Sequence, residues 1–275
     1  DYVNANAAKL GSWRSTHVKI SGGGLPIALR DATIAVEAPR NFRLLATKPG
    51  FGGRAADLGS NDEYFWFWFD GQEQPDVIMC NHEDVGLASR VLPIPFEPDW
   101  LMEVMGVKPL HIDPDVQFVE REGALEVYTR RTAPNGAPVT KRTTIDRRHG
   151  NVIEHALLDA AGRTIAQANV KQFAVDGPSG AVIPVAMDLN WPQAQMNLTL
   201  EMNHVEVNPD STPEQFQVPQ NMQVRRISAP GRVRESATDE NRYPASYIPA
   251  DLQQPPGYTD GYGADEFGAD AYGQP

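Results

Sequence analysis

Short apolar segments alternate with turn residues along most of the chain. Six consecutive aromatic residues, from Tyr64 to Phe69, form the most apolar of these segments and lie between polar turns at residues 59–62 and 70–71. An aromatic segment of this length between turns favours a β-strand over a helix. Because strand side chains alternate between the two faces of a sheet, this strand is apolar on both faces. We therefore expect apolar cover on each face of the sheet.

Turn signals divide the rest of the chain into about ten strands at regular spacing. The other apolar segments are 13–20, 25–37, 40–48, 77–80, 116–121, 124–130, 139–147, 152–158, 164–175, 182–191 and 196–207. No helical pattern long enough for β-α-β units separates them, which argues against a parallel sheet. We predict a mainly β fold in which one antiparallel sheet curls into a barrel or half-barrel.

Two segments depart from the strand pattern. Residues 2–10 predict a short helix that ends at Gly11. Residues 85–107 form an apolar insertion that contains several prolines and a predicted helix over 99–105, preceded by Pro98 and followed by Gly106. The apolar face of this helix carries Trp100, Leu101, Val104 and Met105. We expect the insertion to lie across one face of the sheet and to cover it.

The character of the chain changes at about residue 236. Residues 236–275 carry tyrosine and phenylalanine among Gly, Asp, Glu and Ala, without the period of a helix or a strand. We predict one domain over 1–235 and a flexible acidic tail over 236–275; the alternative is an aromatic tail that docks a partner. The second face of the aromatic strand is expected to be covered by the N-terminal segment or by this tail, or to be a partner surface.

The charge of the chain limits its partners. With 24 Lys and Arg against 36 Asp and Glu, the formal net charge is -12, which argues against nucleic acid as a partner. Basic doublets occur at 130–131, 141–142, 147–148 and 225–226, and we expect them at solvated sheet edges and hairpin tips. Cys80 is the only cysteine, so no internal disulfide forms.

The densest set of metal-ligand residue types is Cys80 to Asp84, which His111 or His155 could complete. Its spacing matches no known zinc pattern, so we predict no metal site. The chain also lacks a Gly-x-Ser-x-Gly elbow, a Walker loop and a dinucleotide-binding fingerprint. We therefore expect no cofactor and no enzymatic activity.

Two short motifs carry a resemblance to a known family. Residues 38–44 read Ala-Pro-Arg-Asn-Phe-Arg-Leu, and residues 58–66 read Leu-Gly-Ser-Asn-Asp-Glu-Tyr-Phe-Trp. Together with the N-terminal helix, the series of strands and the apolar insertion, they resemble the LolA/LolB-like bacterial lipoproteins and lipoprotein carriers over roughly residues 1 to 230. The resemblance implies a single curved antiparallel sheet that forms an open half β-barrel, covered by short helices over an apolar cavity for acyl chains.

The resemblance also implies roles for particular residues. The implied cavity residues are Leu44, Trp66, Phe67, Met187 and Leu198. The implied lid residues are Leu92, Phe96, Trp100, Leu101 and Val104. Arg43 matches the family's strand arginine, which helps to hold the lid in the carriers.

The expected function is non-enzymatic binding of a lipid or lipoprotein acyl chain on the periplasmic side of a bacterial envelope. The expected partners are that acyl chain, a membrane surface reached through a lipid anchor upstream of residue 1, and an envelope protein that the tail contacts. The expected location is that of an outer-membrane lipoprotein whose signal has been removed. The long tail and the large insertion favour passive binding or a resident lipoprotein over shuttling. The alternative function is a structural or interaction lipoprotein with a filled core.

Overall fold

The computed structural model describes residues 3–23, 31–48, 50, 53–71, 76–88, 97–111, 116–133 and 136–228. The strands in this part of the chain are β1 Ser12–Gly23, β2 Asp31–Glu37, β3 Asn41–Thr47, β4 Arg54–Ser60, β5 Tyr64–Phe69, β6 Val77–Asn81, β7 Gln117–Arg121, β8 Ala124–Thr132, β9 Pro138–Asp146, β10 Val152–Leu158, β11 Thr164–Val175, β12 Val182–Trp191, β13 Met196–Val207 and β14 Val224–Ile227. The α-helices are α1 Asn4–Ala7, α2 Val85–Ala88 and α3 Pro98–Val104, and 3-10 helices span His82–Asp84, Pro192–Ala194 and Pro213–Phe216.

All the strands belong to one sheet, in the order β14-β6-β5-β4-β3-β2-β1-β13-β12-β11-β10-β9-β8-β7. Every neighbouring pair is antiparallel except β14 and β6, which are parallel. Strands β14 and β7 form the two opposite edges of the sheet, so the curved sheet does not close into a barrel. The predicted mainly β fold with one open, curved antiparallel sheet is therefore confirmed.

The main core lies on one face of this sheet, which we call the inner face. It contains Phe65, Phe67 and Phe69 from β5 and continues across the central strands to Met187 and Trp191 of β12. At the centre, β1 pairs with both β2 and β13. Trp13 of β1 is fully buried there and donates its indole N–H to the Met105 carbonyl at 3.0 Å. This bond ties the end of the α3 segment to the middle of the sheet.

Helix α3 lies on the connection between β6 and β7, two strands at opposite ends of the sheet order. Pro98 occupies its first turn, where the missing N–H costs no helical hydrogen bond, and Gly106 follows it at φ 79°. Its buried side chains are Pro98, Trp100, Leu101, Met102 and Val104. Helix α3 therefore lies on the inner face and covers it, as the apolar insertion predicts, and the predicted helix over 99–105 is correct to within one residue at each end.

The opposite, outer face of β5 has its own apolar cluster. Trp66, Val77 and Met79 are buried there, and the partly buried residues packed against them include Val218, Met222 and Val224. The cover is thus residues 213–227, which run from the third 3-10 helix into β14. The sequence-based expectation of a cover from the N-terminal segment, the tail or a partner was wrong, because this stretch between β13 and the tail supplies it. The predicted tail, 236–275, lies outside the described residues.

Candidate ligand-binding site between helix α3 and the sheet

The apolar face of α3 and the inner face of the sheet belong to one buried cluster. Trp100, 2% exposed, meets Trp191 of β12 edge to face, with ring centroids 6.2 Å apart. Four predicted cavity residues lie on this side of the sheet: Phe67 and Met187 are buried in the cluster, and Leu44 and Leu198 pack against it half-buried. The predicted lid residues Trp100, Leu101 and Val104 are buried in the same cluster. The structure thus brings these seven side chains into one apolar layer.

Trp66 belongs to the other side. It is buried in the outer cluster, and its indole N–H donates to the Asp57 carboxylate at 3.1 Å. Placing Trp66 in the same cavity as Phe67 was therefore wrong, because adjacent strand residues face opposite sides of a sheet. The predicted lid residues Leu92 and Phe96 lie outside the described residues.

Arg43 also contacts the outer face. Its guanidinium donates to both oxygens of the fully buried Asp57, at 3.3 and 3.0 Å, and to the Gln215 carbonyl at 3.0 Å. It lies over the Trp66 ring, 5.8 Å from the centroid. These partners hold the 213–227 cover, and none of them is in α3, so the structure does not support a lid-holding role for Arg43.

Other cations hold α3. Near its C-terminal end, Glu103 pairs with Arg131 of β8 at 2.6 Å and with Lys141 of β9 at 2.8 Å. Burial alone would raise the pKa of Glu103, but these two positive charges outweigh it and lower the pKa. Burial lowers the pKa of Lys141, and so does the like charge of Arg131, whereas the carboxylates of Glu103 and Glu97 act to raise it. Glu103 is therefore held as a carboxylate between two cations.

The first turn of α3 has a second ionic contact. Asp99 pairs with Arg40 at 3.0 Å and with Lys108 at 2.7 Å. Burial would raise the pKa of Asp99, yet the hydrogen bonds from these two cations lower it to about 2. Both ends of α3 are therefore tied by charge as well as by apolar packing.

The inward position of Arg131 and Lys141 corrects a prediction. Their doublets were expected on solvated sheet edges and hairpin tips, but the Lys141 side chain is 1% exposed. It shares the inner face with Val139 and Ile145, which alternate with outward residues along β9. The alternation of inward and outward residues along β9 already places Lys141 on the inner face. The prediction treated the basic residues as adjacent pairs and did not apply this alternation to each residue.

A polar patch continues from Lys141 across the inner face of β8, β9 and β10. Thr129 lies opposite Lys141, and Thr143 lies opposite His155. All four are buried. Within the described part of the chain, the Thr129 and Thr143 hydroxyls and His155 Nδ1 find no hydrogen-bond partner, and neither do the indole nitrogens of Trp100 and Trp191.

Burial lowers the pKa of His155 to about 4, so its imidazole is neutral at pH 7. Buried polar atoms without partners are uncommon and indicate a place for water or a polar ligand.

A cavity of about 70 Å³ lies beside this patch. Its polar lining includes Glu103, Lys141 and His155, and its apolar lining includes Val104 and Phe173. Helix α1 contributes to its wall through Val3, Asn4, Asn6 and Ala7. An apolar cavity of about 150 Å³ accommodates benzene, so this space fits a small polar group and not a whole acyl chain.

The segment from Cys80 to Asp84 is tied to the backbone around it. Burial raises the pKa of Cys80 to about 12, and its thiol contacts the Asp84 carbonyl at 3.3 Å. His82 Nε2 donates to the Asn61 carbonyl at 2.6 Å, which assigns the proton to that nitrogen. In the described ranges, no three His, Cys, Asp or Glu side chains come together as a metal site would require. A membrane-crossing helix is also absent from these ranges, since none of their helices is both long and apolar enough.

Comparisons with known proteins bear on the fold. No protein-family model and no curated protein matches the sequence. An outer membrane lipoprotein-sorting protein domain, so described for Vibrio parahaemolyticus, is similar in structure with a TM-score of 0.51 and 10% identity, over 78% of this chain and 94% of that one. A DUF1329-family protein from Desulfovibrio piger and a LolA-superfamily protein from Nitrosomonas europaea both give a TM-score of 0.46, at 11% and 10% identity, over 79% of this chain and 98% of each of theirs.

The Vibrio likeness rests on shape, because 10% identity does not carry a shared activity. It spans most of both chains. The resemblance to LolA/LolB-like proteins inferred from the sequence is thus confirmed at the level of the fold.

Proposed function

We propose that the chain is a non-enzymatic protein that binds a lipid or lipoprotein acyl chain between α3 and the inner face of the sheet. The observation that carries this proposal is the apolar layer in which Trp100, Leu101 and Val104 meet Phe67 and Met187. Burying acyl methylene groups in such a layer yields about 0.8 kcal/mol each, so no polar recognition motif is needed for the chain itself.

Among the described residues, the side chains of this layer pack into one buried cluster, so an acyl chain has to displace α3 or part of its packing. The two ionic contacts of α3 are suited to a displaceable element. The side chains of Asp99 and its partners Arg40 and Lys108 are 24–36% exposed, and exposed ion pairs contribute about 0–1 kcal/mol. The first turn of α3 is thus held weakly, whereas the Glu103 end is held in a buried setting.

The cellular context follows from the same proposal. A protein that shelters acyl chains belongs on the periplasmic side of a bacterial envelope, attached to the outer membrane by an upstream lipid anchor. The tail over 236–275 is proposed to contact an envelope partner.

A second candidate function is a structural or interaction lipoprotein whose core is filled by its own side chains. The edge-to-face contact of Trp100 with Trp191 favours it, because these two rings occupy the space that a ligand would need. The two candidates differ in one measurable property, which is saturable binding of an acyl chain.

The experiment is a titration of the delipidated full chain with a fluorescent lipopeptide. Acyl-chain binding predicts saturation, and Trp100→Asp and Leu101→Asp each abolish it. Phe118→Asp is the matched control, since Phe118 lies on the edge strand β7 with 52% of its surface exposed; this variant should bind like the wild type. An absence of saturable binding by the wild type would overturn the proposal in favour of the filled-core protein.

A further inference from the structure

The carboxylate of Glu103, on a side chain that is 11% exposed, occupies an unusual position. It comes from the helix that covers the inner face, while its two partners, Arg131 and Lys141, come from the sheet beneath. On the same strands and β10 lie the buried hydroxyls of Thr129 and Thr143 and the Nδ1 atom of His155, none with a hydrogen-bond partner among the described residues. The inner face of β8 to β10 thus carries the two cations that pair with Glu103 and three further buried polar groups.

The sheet has more hydrogen-bonding groups near Glu103 than this one carboxylate bonds with. A carboxylate accepts about four hydrogen bonds, and Glu103 receives one from Arg131 and one from Lys141. The threonine hydroxyls can donate to an anion, and so can the His155 ring nitrogen in its Nδ1–H tautomer. The adjoining cavity is lined by Glu103, Lys141 and His155, so a ligand in it reaches these three side chains directly.

We propose that Glu103 is a built-in substitute for the anionic group of an amphiphile, and that the ligand is an acyl chain bearing one carboxylate or phosphate. This inference rests on the proposed function, because the acyl chain occupies the apolar layer described above. The anionic group replaces the Glu103 carboxylate between Arg131 and Lys141, and it also contacts Thr129, Thr143 and His155. The apolar part of the ligand then lies on the side of Val104 and Trp100.

The charges of the neighbourhood fit one anion. Burial raises the pKa of Glu97, next to α3, while the positive charges of Arg131 and Lys141 act to lower it. Once Glu103 leaves, Arg131 and Lys141 have no carboxylate of that helix between them. A buried cation without a partner is costly, so an incoming anion restores a balance that a neutral ligand cannot.

The test compares ligands of equal chain length on the full chain. Hexadecanoic acid, hexadecyl phosphate and hexadecanol are titrated by calorimetry, with inorganic phosphate as the ligand that lacks a chain. We expect both anionic amphiphiles to bind about tenfold tighter than the alcohol, a ratio typical of a charge-assisted hydrogen bond. Inorganic phosphate should bind more weakly than hexadecyl phosphate, and equal affinity of the two would overturn an amphiphile site.

Variants test which side chains cause the preference for anionic amphiphiles. Glu103→Gln should tighten binding of the two anionic amphiphiles and leave the affinity for hexadecanol within about twofold. The double variant with Glu103→Gln and Lys141→Met leaves the net charge of the site as in the wild type, with Arg131 as the remaining cation of the pair. It should lose most of the preference for anions, as should Arg131→Gln. Arg40→Gln is the matched control: it loosens the Asp99 contact of α3 without freeing a cation beside His155, so any effect should be equal for acid and alcohol.

The outcomes separate this inference from the proposed function. Equal binding of acid and alcohol, in both wild type and Glu103→Gln, would overturn the role of Glu103 and leave acyl-chain binding intact. Binding of none of the amphiphiles would overturn both. A lower affinity for hexadecanoic acid in Glu103→Gln would also contradict the substitution of the ligand for Glu103.

Discussion

Asn6 and Val182 exchange two hydrogen bonds. The side-chain amide of Asn6 donates to the Val182 carbonyl at 2.7 Å, and the Val182 N–H donates to the Asn6 side-chain oxygen at 2.7 Å. Asn4 makes the same reciprocal pair with Leu110, at 2.9 and 2.7 Å. Helix α1 thus joins the start of β12 to the segment that follows α3.

Removing the Asn6 side chain should detach α1 from β12. Asn6→Ala loses both bonds and leaves the Val182 backbone groups without their partner, so we expect the free energy of unfolding to fall by about 1–3 kcal/mol. Urea denaturation measures the change, with Lys9→Ala as an exposed control on the same segment. A loss below about 0.5 kcal/mol would mean that water replaces Asn6 at no cost.

Arg43 should stabilise the 213–227 cover and leave α3 unaffected. Arg43→Met removes the bonds to Asp57 and to the Gln215 carbonyl, and leaves the buried Asp57 with Arg54 as its cation. We expect a loss of about 3–5 kcal/mol, as for other broken buried pairs. Hydrogen exchange should become faster in residues 213–227. In residues 98–104 it should change only by as much as the loss of global stability requires. Faster local exchange in α3 would instead restore a lid-holding role for Arg43.

Gly59 should be intolerant of any side chain. It lies directly opposite Trp66 in the pairing of β4 with β5, and a Cβ atom added there would overlap the indole ring. Gly59→Ala therefore forces Trp66 out of its rotamer, at a cost of about 1–3 kcal/mol, and shifts the tryptophan fluorescence. Gly177→Ala is the matched control, because the space around Gly177 is open. Equal effects of the two substitutions would contradict the close contact.

His155 should make stability depend on pH in the mildly acidic range. Its pKa is about 4 in the folded chain and near its ordinary 6.5 in the unfolded chain, so the unfolded chain gains the proton first as pH falls. The stabilisation is complete above pH 6.5 and is lost as pH falls toward 4. A pKa difference of one corresponds to about 1.4 kcal/mol, which makes the full effect on the order of 3 kcal/mol.

The variant His155→Gln should flatten this dependence, as measured by urea denaturation at pH 7 and pH 4.5. The charged groups that act on His155 are Glu103, Lys141 and Arg131, and all three remain in the variant. Glu97 acts in the opposite direction, because its raised pKa favours the folded chain at low pH, but it is common to both proteins. His17→Gln, at an exposed site, should retain the wild-type slope. An unchanged slope in His155→Gln would refute the burial of a neutral imidazole.

Local patterns in the sequence predicted most of the strands. The elements that were not predicted depend on pairing between residues far apart in the chain. The bounds of β5, and of β10 to β13, match the predicted segments because turn residues and apolar alternation mark both ends of each. Strand β14 went unpredicted, since it has four residues, two of them arginine, and pairs in parallel with a strand about 150 residues earlier. No local signal specifies such a pair.

The residues of the candidate site likewise include some that the sequence predicts and others that only the fold brings together. The apolar face of α3 follows from its helical period, so Trp100, Leu101 and Val104 could be found from the sequence. The partners of Glu103 could not, because Arg131 and Lys141 reach it only through the fold. Trp66 and Phe67 were placed together although strand alternation separates them, and Arg43 was assigned by family resemblance when Asp57 is its partner.

The pairing of β1 with β13 has a consequence for the synthesis of the chain. Strand β1 ends at Gly23, and its neighbour begins only at Met196. At about 5–20 residues per second, a ribosome needs roughly 10 to 35 s to make the intervening stretch. During that interval β1 presents an unpaired edge, which is a template for aggregation. The half-synthesised chain is therefore the form that most needs a chaperone, and a truncation before Met196 should be insoluble.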